Sequence, residues 1–253
     1  MTKHLTTLAA LVAVALPLSA CSGSDSGSAS PSASTTTSQT ASGTPSTTPS
    51  VVPTTPAKPK VRTAADLAKA LLALKDLPSG WSVEKPGEGD ENAKLTSTDP
   101  KCATFVKVMN LEHAPGSKAA AERGFSGGQN GPFVDESLDW MGSVKAVSAL
   151  QKSFSAGARG CHKVMVDFGA QGGSSTFTVA EVSAPTSGTA PFAVRLTATS
   201  GNLAGLEMVV VVTGIDDVVL ALLFVGATPD DVDAATDDAV TKAQRVLGGT
   251  TGS

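Results

Sequence analysis

The chain contains no tyrosine, and aromatic residues fill only 4% of its positions. Large apolar burial must therefore come from Val, Leu, Ile and Ala. Histidine is nearly absent, with three residues in 253, and two remain once an N-terminal leader is removed. That leaves little from which to build a catalytic triad. A basic excess is also missing. The net charge is −4, and residues 61–253 alone hold 16 Lys and Arg against 22 Asp and Glu, a net of −6. Nucleic acid, which needs a basic footprint, is excluded as a partner. Long hydrophobic runs are missing too. Beyond the leader the longest apolar run is Val218 to Val225, the size of a strand and far short of the ~20 residues that span a bilayer. The hydrophobic fraction of 41% nevertheless suits a globular protein, and the charged fraction of 17% is low because a long neutral segment dilutes it.

The first residues form a secretory signal. Lys3 and His4 make a short polar start, and Leu5 to Leu18 form a mostly apolar stretch of 14 residues. That length suits a cleaved signal rather than a membrane span. The signal ends in Leu18-Ser19-Ala20-Cys21. This resembles the bacterial lipobox: a branched apolar residue, two small residues that admit the peptidase, then Cys. The resemblance implies that residues 1–20 are removed and that the Cys21 thiol carries a diacylglyceryl group. With an N-acyl chain such as palmitate added, two or more chains make membrane anchoring stable where one is marginal. An ordinary secretory signal with a chance Cys is the bland alternative.

Ser, Thr and Pro make up 26 of the 39 residues from Ser22 to Lys60. With almost no large apolar side chain, this segment cannot offset the entropy of ordering itself. It reads as a disordered tether over residues 21–61. A flexible coil of this length spans on the order of 35 Å and a polyproline form about 120 Å. Such tracts are targets for O-glycosylation, and a bare spacer explains the composition equally well.

Order is expected over residues 62–248, with a flexible tail at 249–253. Thr63 caps a helix with Leu67, Leu71 and Leu74 on one face, stopped by Pro78-Ser79-Gly80 before Trp81. Residues 86–99 read as a loop. A second helix from Pro100 carries Cys102, Phe105, Val106 and Met109. Phe133 to Trp140 reads as a strand, and residues 143–154 as a helix. Phe192, Val194, Leu196 and Ala198 alternate with Ala193, Arg195, Thr197 and Thr199, the period of a strand with one wet face. Phe177 and Val179 sit in a similar strand. Glu207 to Thr213 and Val218 to Val225 flank Gly214-Ile215-Asp216-Asp217 as a hairpin whose strands are apolar at nearly every position. They should be central and covered on both faces. Thr228 caps a last helix, with Pro229 at its first position, Asp230 and Asp231 at the positive end of its dipole, and Val232, Ala235, Ala239, Val240, Ala243 and Val246 buried. Gly248 follows as a stop. The fold class expected is α+β: an antiparallel sheet with helices packed on one face, in a single domain.

Cys102 and Cys161 are the only cysteines after Cys21. In an oxidising compartment they most simply form one disulfide closing a loop of about 60 residues. Two buried free thiols or one reactive thiol remain the alternatives. Gly124-Phe125-Ser126-Gly127-Gly128 matches the nucleophile-elbow string, with Asp135 or Asp139 and then His162 in triad order. Yet Gln129-Asn130-Gly131-Pro132 breaks the helix that an elbow requires, and a glycine-rich loop between strands is the better reading. Gly169 to Ser175 lacks the Gly-Lys-Ser/Thr of a phosphate loop and reads as a hairpin turn. Asp230, Asp231, Asp233, Asp237 and Asp238 do not have calcium-loop spacing. They suit a solvated helix face. His113 reads as a surface residue at a helix end.

The stretch Leu71-Leu72-Ala73-Leu74-Lys75-Asp76-Leu77-Pro78-Ser79-Gly80-Trp81 is a leucine-rich helix followed by Asp-Leu-Pro-x-Gly and an aromatic. It resembles the opening of PknH-like extracellular sensor domains, carried here by a chain that resembles actinobacterial lipoproteins. Cys161, the apolar strands and the Asp-rich last helix with Val240, Ala243 and Leu247 fit the same layout over about residues 62–248. The resemblance implies a sheet-and-helix domain with a cleft for a ligand. It also implies two disulfides, and this domain can form only one. No kinase segment is present, so a signal would pass to a separate partner. The expected function is a membrane-anchored, extracytoplasmic, non-catalytic ligand-binding or sensor module. A carrier of lipid or another hydrophobic molecule and an envelope protein-interaction module are the alternatives. The partners expected are the membrane through Cys21, a small-molecule or lipid ligand, and an envelope protein. No cofactor, metal or catalytic residue is expected.

Overall fold

The structure, a computed structural model, describes residues 61–84, 93–128, 131–169 and 173–248. The leader, Cys21 and the stalk lie outside them, as do the tail and part of the 86–99 loop. Four α-helices are described: α1 (Ala64–Ala70), α2 (Ala103–Met109), α3 (Val144–Gly160) and α4 (Pro229–Gly248). Nine strands accompany them: β1 (Ser82–Val83), β2 (Lys94–Thr96), β3 (Ala119–Ser126), β4 (Phe133–Trp140), β5 (Lys163–Asp167), β6 (Ser174–Val182), β7 (Thr189–Ala198), β8 (Glu207–Ile215) and β9 (Val218–Val225). They form one sheet in the order β1-β3-β4-β9-β8-β7-β6-β5-β2, and every neighbouring pair is antiparallel. The α+β class and the antiparallel sheet agree with the sequence reading.

The placement of the helices does not. They were expected on one face, and they divide between two. In β8, Val209, Val211 and Ile215 join a core with α1 and α4, while Met208, Val210 and Val212 join a separate core with α2 and α3. In β9, Val218, Leu220, Leu222 and Phe224 belong to the first core and Val219 to the second. The physical reason lies in the hairpin itself. Strands apolar at both parities bury both faces, and each face needs its own helical layer. The hairpin turns at Asp216 and Asp217, with Asp216 at φ 52°, as a two-residue hairpin loop requires.

The first helix is also shorter than its leucine period suggests. A capping box between Thr63 and Asp66 starts α1 as expected. It ends at Ala70, and Leu74 sits in a separate 3-10 turn, 44% exposed. The opposite happens in α3, which starts at the Ser143 cap and runs on to Gly160 because Phe154, Gly157 and Ala158 extend its buried face. Gly157 lets α2 approach closely: a Cβ there would stand 3.1 Å from the Phe105 nitrogen. The junction is closed by a disulfide between Cys102, just before α2, and Cys161, which ends α3. Ala119 to Ser126, which includes the expected glycine-rich loop at Gly124, is strand β3, paired along its length to β4.

Candidate functional site

Two features on the α1–α4 face stand out. One is a groove of about 110 Å³ lined by Leu77, Pro78, Trp81, Val134, Ala227, Ala234 and Ala235, with Asp231 and Asp238. Its outer wall is the segment after α1 and its opposite wall is the first half of α4. Alanines at 227, 234 and 235 keep that wall shallow. Asp231 is committed to capping: its carboxylate accepts from the Thr228 amide and hydroxyl at 3.0 and 2.6 Å. The Thr228 hydroxyl holds that carboxyl below the usual range. The expected cap of the last helix is thus in place, with Asp231 bound to Thr228 in its first turn.

The other feature is a buried charged cluster next to that wall. Glu136 on β4 is 1% exposed. Its Oε2 accepts from the Leu72 amide at 2.7 Å, and its Oε1 has no hydrogen-bond partner in the protein. Arg123, directly across the β3–β4 ladder, donates to the Leu72 and Ala68 carbonyls. Lys242 of α4 donates to Asp76 Oδ2 at 2.6 Å, and the Ala73 amide donates to the same oxygen at 2.9 Å. These side chains explain why α1 stops. The amide and carbonyl of Leu72 are satisfied from the sheet, so the helix need not continue. Burial pushes the Glu136 carboxyl up to about 7, against the opposing pull of the Leu72 amide, Lys242 and Arg123. The Lys242 hydrogen bond holds Asp76 below the usual carboxylate range.

A third, structural cluster ties the chain start to the central hairpin. Arg62 donates to Asp217 at 2.8 Å and to the Leu247 carbonyl at 3.0 Å, while the Trp140 indole donates to the other Asp217 oxygen at 2.6 Å.

The sequence-derived candidates fall as follows. Ser126 ends β3, and its hydroxyl exchanges hydrogen bonds with the Gly128 backbone. His162 precedes β5, six places across the sheet. At ~4.8 Å per strand the separation is on the order of 30 Å, so no triad forms between them. Asp139 is buried and accepts from the Ala114 amide. His113 is exposed in the loop after α2. Phe168 and Gly173, and Gly169 and Gly173, are joined across the β5–β6 turn by backbone bonds, as a hairpin turn requires. Among the described residues no group of three or more His, Cys, Asp or Glu is placed to hold a metal ion. No described helix is long and apolar enough to cross a membrane.

Glu136, Arg123 and Lys242 were not anticipated. A signal for Glu136 did exist. In β4 the alternate residues Val134, Leu138 and Trp140 face inward, and Glu136 shares their parity.

The fold is a helix–sheet–helix α+β domain with an all-antiparallel central sheet. It is similar to the crystal structure of the extracellular domain of PknH from Mycobacterium tuberculosis, with a TM-score of 0.54 at 15% identity over 76% of this chain and 100% of that one. A weaker likeness, TM-score 0.42 at 12% identity, covers 70% of this chain and 96% of an uncharacterized Mycobacterium smegmatis protein. The first match places the described chain in a PknH-like fold. No protein-family model matches the sequence, and no curated protein does either.

Proposed function

We propose that the chain is a lipid-anchored, extracytoplasmic lipoprotein whose domain, residues 62–248, is a non-catalytic binding module that reads its ligand at the Trp81 groove. The groove carries the reading. It joins apolar walls to a rim bearing Asp231 and Asp238, which suits an apolar group with a cationic or hydrogen-bond-donating end and disfavours an anion. The lipobox at Cys21 and the tether over residues 21–61 support the address. The Cys102–Cys161 disulfide supports an oxidising compartment, and the PknH-like fold is consistent with it. A carrier that engulfs a lipid needs a deep cavity. The groove holds about 110 Å³ and a second cavity beside Arg62 about 190 Å³, both below the ~300–1,000 Å³ of ordinary ligand pockets. The groove therefore suits a headgroup or a single side chain of a protein partner better than a whole acyl chain.

Native mass spectrometry of the mature protein tests both parts. The expected result is a diacylglyceryl mass on Cys21, plus a non-covalent mass that is lost on denaturation and reduced in Trp81→Ala. An unmodified Cys21 overturns the anchor. A bound mass unaffected by the Trp81 change overturns the groove. In cells, Cys21→Ser should move the protein from the membrane fraction to the medium.

A further inference from the structure

We propose that Leu71–Trp81, the outer wall of the groove, is a pH-responsive flap, closed over Glu136 while that carboxyl carries a proton and loosened when it ionises. This rests on the groove being the binding site, and it names how that site is regulated.

The geometry carries it. Glu136 is 1% exposed, and the wall is fastened to it through the Leu72 amide at 2.7 Å. Its second oxygen faces no donor. Ionisation therefore places charge on a carboxyl that has one hydrogen bond where a buried carboxylate needs several. The cations nearby are already engaged. Arg123 on β3 is bound to the carbonyls of Leu72 and Ala68, and Lys242 on α4 is bound to Asp76. Asp76, in the 3-10 turn of the wall itself, adds a like charge that further disfavours ionisation. The residue facing Glu136 from β9 is Leu222, and Val134 and Leu138 flank it along β4, so neither strand supplies a charge. The simplest relief is water, and the wall is the element fastened directly to the carboxyl, through the Leu72 amide. Lifting it breaks the Leu72 amide hydrogen bond to Glu136, the Arg123 hydrogen bond to the Leu72 carbonyl and the Lys242–Asp76 pair, uncovers the buried Leu71 and Leu72, and carries Leu77, Pro78 and Trp81 away from α4. The α2–α3 core on the other face is untouched. With the carboxyl at about 7 when closed and near its ordinary value when open, raising the pH from 5.5 to 8.5 favours opening by about 30-fold.

Amide hydrogen exchange on the full mature chain, corrected for the intrinsic pH dependence, reads this directly. Protection of residues 72–81 should fall about 30-fold between pH 5.5 and 8.5, while residues 147–158 of α3 keep theirs. In Glu136→Gln the fall should disappear. The wild type alone suffices if that variant does not fold: the Leu72 amide nitrogen and the Glu136 carboxyl carbon should titrate together in NMR with a midpoint near 7. Unchanged protection over residues 72–81, an equal loss in α3, or an equal loss in the Gln variant each overturns the flap. The exchange measurement contains no ligand, so its outcome is independent of the groove reading, which the bound mass decides.

Discussion

Glu136 makes the stability of the whole domain depend on pH in an unusual direction. Its carboxyl sits at about 7 in the folded chain against an ordinary 4.5. Between those values the folded state holds a proton that the unfolded chain has released. Stability from this group is fully present below pH 4.5 and is lost as the pH rises through 7. The 2.5-unit difference corresponds to about 3 kcal/mol, of which about 2.5 kcal/mol falls between pH 5 and pH 8. The carboxyls held low, Asp76 by Lys242 and Asp231 by Thr228, act with the opposite sign but below pH 4. They leave the window clear. Urea denaturation of the oxidised protein at pH 5, 6, 7 and 8 measures the slope. Wild type should lose stability steadily, and Glu136→Gln should be nearly flat. The offset of the Gln variant is not the test, because a buried amide without partners costs about 1–3 kcal/mol of its own. Parallel curves for the two proteins, or a wild type more stable at pH 8 than at pH 5, would refute the assignment of Glu136 as the buried acid.

Further predictions concern the rest of the frame. Replacing Cys102 and Cys161 together by Ser opens a loop with a sequence separation of 59 and should cost about 4 kcal/mol on the loop-entropy model. Urea midpoints of the variant, with the reduced wild type alongside, check it. Arg62→Ala leaves Asp217 without its buried cation and the Leu247 carbonyl without its donor, and should cost about 3 kcal/mol. Thermal unfolding followed by the fluorescence of Trp140, which shares Asp217, should report that loss, and Asp217→Asn should reproduce most of it.

How far the fold was legible depends on how local its causes are. The last helix was readable because its cap, its proline and its acidic first turn lie within four residues. The hairpin was readable because two apolar runs flank a two-residue turn. The end of α1 was not, because what stops it comes from Arg123 and Glu136, 51 and 64 residues further along. A leucine period continuing through Leu71 and Leu74 cannot report a sheet that takes over the next amide. Strand β3 was missed for a related reason: Ala-Ala-Ala-Glu-Arg favours helix locally, and its pairing with β4 overrides that preference. The division of the helices was implicit in the doubly apolar hairpin. The groove was half legible. Trp81 and its Leu-Pro-Ser-Gly approach stood out, whereas α4 supplies the facing wall from about 150 residues away. Glu136 lay between Asp135 and Ser137, where only strand parity separates a buried carboxylate from its more exposed neighbours.

The partition of the interior by the sheet has a consequence for how the domain comes apart. The disulfide belongs wholly to the α2–α3 side and the buried acid wholly to the α1–α4 side. A reducing agent and an alkaline shift therefore strain different layers, each bounded by the same central strands. Partial opening should proceed as two separable units, one answering to electrons and the other to protons, while β8 and β9 hold until the last.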